Sequence, residues 1–191
     1  MYCLQRGRAT LAVVLGALAC FGCGGADLDR AVIAGDARRV LDAIDAGADI
    51  ELANAHGITP LMAATRAGRA NIAALLIERG ARVRTADKRG FTALHYAAQN
   101  GMTQTVGRLL DRGAVVNARA GAGGYTPLHL AVIDSRDEAA LLLVVRGADA
   151  SRRNAQGFTA LDIAASRRDH ELGRALQDAI AREARDAAPG T

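Results

Sequence analysis

One string recurs along this chain and constrains its fold more than any other feature. "GITPLMAATRAG" begins at Gly57, "GFTALHYAAQNG" at Gly90, "GYTPLHLAVIDS" at Gly124 and "GFTALDIAASRR" at Gly157. The intervals are 33, 34 and 33 residues. A second motif keeps the same beat: a Gly-Ala pair at Gly47, Gly80, Gly113 and Gly147, preceded by apolar runs such as Leu75-Leu76-Ile77, Leu109-Leu110 and Leu142-Leu143-Val144. Self-similarity at a period of about 20–50 residues is the signature of a stacked repeat. In such a stack no unit buries its apolar faces alone, so neighbours must complete the core.

Each repeat reads as two helices and a connection. Thr59, Thr92, Thr126 and Thr159 sit where a hydroxyl can accept a backbone N–H and cap the first helix. Pro60 and Pro127 follow in the first turn, where a missing N–H costs nothing. "LMAATRAG" and "LHYAAQNG" place apolar residues at helical spacing and stop on Gly. Ile72, Leu75 and Leu76 then give the second helix an apolar face, and the Gly of the second motif ends it. Half of the residues are hydrophobic but only 3% are aromatic, so Ala, Leu, Val and Ile must form the core. That composition favours closely packed helices over a β-sandwich, which would draw on β-branched and aromatic residues.

These residues resemble the ankyrin repeat, whose signature is T-P-L-H-x-A on a period of about 33 residues. The resemblance covers about residues 27–180. It implies an all-α solenoid of helix-turn-helix units with β-hairpin or loop connections. About five units are expected in a domain over 26–188: 26–56, 57–89, 90–123, 124–156 and 157–188. The first lacks the Thr-Pro start and the last has Asp162 in place of His and a polar second helix, so both read as caps. Three departures stand out. "NARAGAGGY" (117–125) carries one extra residue, predicting a longer and looser tip; Ser135 replaces a helix-stop Gly; and Val145 stands where other units have Asp45, Glu78 and Asp111. The resemblance also implies that His95 and His129, at the motif's His position, brace the turn by hydrogen bonds. With His56 and His170 they are not at metal-ligand spacing and have no Cys nearby.

The first 25 residues read as an address. Arg6 and Arg8 form a basic start, Ala9 to Ala19 is an uncharged apolar run, and two Cys follow. The run is shorter than the ~20 residues a spanning helix needs. "GALAC" resembles a bacterial lipoprotein box with Cys20 as the acylated residue, and "FGCGG" offers Cys23 with a Gly-Gly tether as the alternative. Ala17-Leu18-Ala19 also suits ordinary signal-peptide cleavage, giving a soluble exported protein; an uncleaved anchor remains a third option. Neither candidate Cys is followed by Asp, which by the sorting preference of enterobacterial lipoproteins resembles an outer-membrane destination, facing the periplasm. All three Cys (Cys3, Cys20, Cys23) lie here, so the repeat domain has no disulfide and no thiolate.

The formal charge is +4, and about +2 once Arg6 and Arg8 are set aside. Acids and bases are interleaved, which gives no single-sign face for a phosphate backbone; no nucleic acid partner is expected. No G-x-S-x-G, H-E-x-x-H, Walker or dinucleotide-binding string is present, so no catalytic, cofactor or metal residue can be nominated. The resemblance implies a non-catalytic monomer that binds a protein through a concave face of hairpin tips and first helices. Mapped onto this sequence, the positions are Ile58, Lys88, Arg89, Phe91, Gln99, Asn100, Tyr125, Ile133, Asp134, Gln156 and Phe158. Phe91, Tyr125 and Phe158 occupy one repeat position, with Ile58 before them. That stripe reads either as an interface anchor or as packing of each residue on its own hairpin. The alternative to a tethered module is a secreted effector or inhibitor acting on a foreign or host protein.

Overall fold

A computed structural model describes residues 24–167 and 170–186. The lipidation candidates Cys20 and Cys23, and most of the expected leader, lie outside the described residues. Ten helices are described, in five antiparallel pairs: α1 (Gly24–Ala34) with α2 (Ala37–Asp45), α3 (Pro60–Arg66) with α4 (Ala70–Glu78), α5 (Ala93–Gln99) with α6 (Thr103–Asp111), α7 (Pro127–Ile133) with α8 (Asp137–Val145), and α9 (Ala160–Ser166) with α10 (His170–Asp186). First helices stack on first helices, α1 through α3, α5 and α7 to α9, and second helices stack likewise. This is the all-α solenoid expected. Gly24 and Gly25, expected as a tether, form the first turn of α1.

The first helices are only seven residues long in units two to five. Helices that short are marginal in water, so packing must hold them. Six of the seven residues are buried in α3, α5 and α7. Leu61, Leu94 and Leu128 fill the same place in successive units, while Ala64, Ala97 and Ala131 let the backbones approach. In α9, at the end of the stack, only Ala160 and Ala164 are buried.

Capping follows the sequence closely. Thr59 Oγ1 accepts from Met62 N–H at 3.4 Å, Thr126 Oγ1 from His129 N–H at 3.4 Å and Thr159 Oγ1 from Asp162 N–H at 3.1 Å. Thr92, Thr126 and Thr159 form reciprocal capping boxes with the residue three places on. Ser135 stops α7 in the left-handed region at φ 54°, a conformation that Gly68 and Gly101 adopt at the equivalent position.

Ion pairs also link the C-terminal ends of successive second helices. Arg79 reaches Asp45 at 3.1 Å, Arg108 reaches Glu78 at 3.0 Å and Arg146 reaches Asp111 at 2.7 Å. Val145 has no place in that ladder and is 64% exposed.

Candidate functional site

Three of the four hairpin tips are built around one side chain each. Asn54 Oδ1 accepts from the N–H groups of His56 and Ile58, at 2.9 and 3.2 Å. Asp87 does the same for Arg89 and Phe91, at 2.8 and 2.9 Å, and Asn154 for Gln156 and Phe158, at 3.0 and 2.9 Å. Asn and Asp favour this geometry because their short side chains can bond the backbone two residues ahead. The longer tip has Ala120 at this place. It closes through the backbone, Ala120 N–H to Tyr125 O at 2.8 Å and Tyr125 N–H to Ala120 O at 2.9 Å. It is therefore longer, as expected, but tied rather than loose.

Successive tips are joined to one another. Lys88 N–H donates to His56 O at 3.1 Å, Gly121 N–H to Arg89 O at 2.7 Å and Ala155 N–H to Gly123 O at 2.8 Å. Glycine is required at the turn. Gly57 and Gly90 have φ 78° and 84°, and a Cβ on either would lie 3.2 Å from Lys88 N and 3.4 Å from Arg119 O, respectively. The tips thus form one continuous edge.

Behind that edge stand the two buried histidines. His95 Nδ1 accepts from Thr92 N–H at 3.1 Å, and its Nε2 donates to Ala118 O at 3.1 Å and Tyr125 O at 3.2 Å. His129 accepts likewise from Thr126 N–H at 3.3 Å and points Nε2 at Phe158 O at 3.2 Å. These contacts require the neutral ring with the proton on Nε2. Burial pushes His95 down to about 4, and burial also lowers His129. Both nitrogens of each ring are occupied, so neither ring has a free lone pair for proton transfer. The histidines tie α5 and α7 to the next tip.

Asp87 is the hub of a polar cluster. Burial works to raise its pKa, but hydrogen bonds from Tyr96 Oη at 2.7 Å and from the Phe91 and Arg89 N–H groups outweigh it and hold the carboxyl below its usual range. Arg89 donates to Tyr96 Oη at 3.2 Å and lies 4.7 Å over the Phe91 ring. Phe91 stacks on Tyr96 with centroids 5.5 Å apart.

The residues expected to contact a partner are therefore not equivalent. Ile58 is buried. Phe91 is half-buried between Tyr96 and Arg89. Tyr125 is half-buried over the tip: a Cβ on Gly123 would fall 2.2 Å from its ring. Phe158 is 55% exposed. Lys88, Arg89 and Gln156 are exposed at the tips. Gln99, Ile133 and Asp134 are half-buried at the ends of α5 and α7. Asn100 is exposed, yet its Nδ2 donates to Thr65 O at 2.8 Å and Arg66 O at 3.1 Å, capping the end of α3. Arg69, Arg136 and Arg167 cap α1, α5 and α7 from the following unit in the same manner.

Sequence reasoning passed over Asn54, Asp87, Asn154 and Tyr96. The first three carried a usable signal, a short carboxyl or amide side chain three residues before the repeat Gly in every tip but the longer one. Among the described residues no cluster of His, Cys, Asp and Glu could hold a metal, and no helix is long and apolar enough to cross a membrane.

Residues 28–120 match a protein-family model described as ankyrin repeats (3 copies), and residues 109–164 match one described as ankyrin repeats (many copies). The two matches together run from the first unit into the fifth. No curated protein matches the chain.

Proposed function

The chain belongs to the ankyrin-repeat family, a family of protein-interaction modules, and from that premise we propose that it is a non-catalytic, exported binding module, tethered by a lipid on Cys20 or Cys23, that acts as a monomer and grips a protein partner along its hairpin-tip edge. One observation carries the binding surface. The tips are locked to each other through backbone hydrogen bonds, yet Lys88, Arg89, Gln156 and Phe158 remain exposed on them. A surface ordered before binding loses little conformational freedom on association. Phe158 offers the aromatic anchor that interfaces favour.

The test separates anchor from packing. Phe158→Ser should leave urea stability within about 0.5 kcal/mol, the usual range for an exposed change. Phe91→Ser, which empties the stack on Tyr96, should cost about 2–3 kcal/mol. A protein retained by the immobilised wild type and lost from folded Phe158→Ser supports the binding edge. Equal retention by both refutes it for Phe158.

The tether rests on the lipoprotein-like leader. Metabolic labelling with a fatty-acid analogue should mark the wild type and be lost in Cys20→Ser. Loss only in Cys23→Ser would move the lipid. No label at all, with the protein recovered in the medium, would favour the secreted effector or inhibitor instead.

A further inference from the structure

We infer that the tips at 86–91, 118–125 and 151–158 dock an extended acidic segment of the partner protein, an inference that rests on the binding function proposed above. These three tips carry Lys88, Arg89, Arg119, Arg152 and Arg153 against a single acid, Asp87. That acid is buried, with its oxygens committed to Arg89 N–H, Phe91 N–H and Tyr96 Oη.

The cations differ in how far they are neutralised. Arg152 pairs with Asp149 at 3.4 Å, and Arg153 lies 3.8 Å from Asp162 while donating to Gly157 O. Arg89 is 3.9 Å from Asp87. Lys88 and Arg119 are exposed and have no ion pair among the described residues. Elsewhere, Arg79, Arg108 and Arg146 are matched by Asp45, Glu78 and Asp111, whereas exposed Arg66 and Arg82 have no ion pair among the described residues either. The chain beyond the leader carries only about +2 while the three tips carry +4, so the positive excess sits on the tips and the rest of the domain is about −2.

Geometry sets the length of the occupant. Packed helices lie about 8–10 Å apart, so three joined tips span roughly 20 Å between the first and the last. An extended strand rises about 3.3 Å per residue, and about six residues of partner cover that span. Acids at alternate places would face the cations, and an apolar residue near one end would meet Phe158. The same edge suits a single-stranded nucleic acid poorly. That ligand needs a row of open aromatic faces for stacking, and here Phe91 is covered by Tyr96 and Arg89 and Tyr125 lies against its own tip.

The test uses the full chain and fluorescence anisotropy. The probes are a labelled peptide of about ten residues alternating Glu and Ser, its Gln counterpart, and an oligothymidylate of equal charge. The Glu peptide should bind at low salt at least tenfold more tightly than the Gln peptide or the oligothymidylate. A Lys88→Glu/Arg119→Glu variant with an unchanged melting curve should lose that preference, as should the wild type at high salt. Equal binding of the Glu and Gln peptides overturns the inference, as does indifference to the charge reversal. Tighter binding of the oligothymidylate also overturns it, in favour of a nucleic acid. A captured partner that tolerates the charge reversal but not Phe158→Ser would refute the acidic segment and leave the binding function standing.

Discussion

Acidification from pH 7 to pH 5 should destabilise this stack chiefly through His95. The ring is fully buried, and its pKa is pushed down to about 4 from an ordinary value near 6.5. Protonation would place an N–H on Nδ1, where Thr92 N–H already donates. Below the unfolded value the unfolded chain therefore binds a proton that the folded chain refuses. Stability is complete above about pH 6.5, falls as the pH drops toward 4, and levels off below that. The slope approaches 1.4 kcal/mol per pH unit, which integrates to about 2 kcal/mol between pH 7 and pH 5. The comparison variant is His95→Gln. Gln is a natural partner at this place in a capping box, can accept from Thr92 N–H and does not titrate. Urea unfolding followed by circular dichroism at pH 7, 6 and 5 measures both proteins. With a urea dependence of about 1–3 kcal/mol per molar, the wild-type midpoint should fall by roughly 1 M more than that of the variant. His129, lowered for the same cause, adds in the same direction, so His95→Gln/His129→Gln should respond least. Equal losses in the wild type and in His95→Gln would show that the buried ring is not held neutral, and the account of the inter-unit contact would fail with it.

Two further substitutions test local geometry. Asp87→Ala strands three donors, Arg89 N–H, Phe91 N–H and Tyr96 Oη, and should cost about 2–3 kcal/mol in urea unfolding; Asp87→Asn restores the residue type used at Asn54 and Asn154 and should cost under about 1 kcal/mol. Equal costs would mean that the tip does not depend on the side-chain acceptor. Ser135→Gly relieves a left-handed residue at φ 54° and should stabilise by about 0.5–1 kcal/mol, read as a melting temperature about 1–4 °C higher; no gain would mean that the contact from Arg167 to Ser135 Oγ outweighs the backbone strain.

The fold was legible because it is periodic. Thr caps, Pro at the first turn and Gly stops act within a few residues of themselves, and four in-phase copies left little room for another architecture. The cap reading of the last unit follows from the same logic, since α9 buries only Ala160 and Ala164. The site was less legible because exposure depends on neighbours that the repeat pattern does not fix. Phe91, Tyr125 and Phe158 share one repeat position but meet different neighbours: Tyr96 with Arg89, the Gly123 tip, and open solvent. Asn100 looks like a contact residue from its place beside a helix end, yet it caps the previous unit. A side chain's own position cannot reveal whether a residue about 35 places away has already claimed it.

That distinction bears on how stability and binding divide across the molecule. Four sets of polar contacts couple adjacent units: backbone bonds between tips, the buried histidines onto the next tip, donors from each unit onto the end of the previous first helix, and ion pairs between the ends of the second helices. In a linear stack, stability is approximately a sum of unit and nearest-neighbour terms, so loss of any one link weakens an interface without abolishing the fold. Lys88, Gln156 and Phe158 extend beyond those links. Changes to them should alter what the edge binds while leaving the stack's cohesion almost unchanged. Changes at Asp87, His95 or Asn100 should do the reverse, loosening the spacing of the tips and so weakening every ligand of the edge together. The sign of that difference, selective loss against general loss, distinguishes a residue that touches the partner from one that holds the surface in shape.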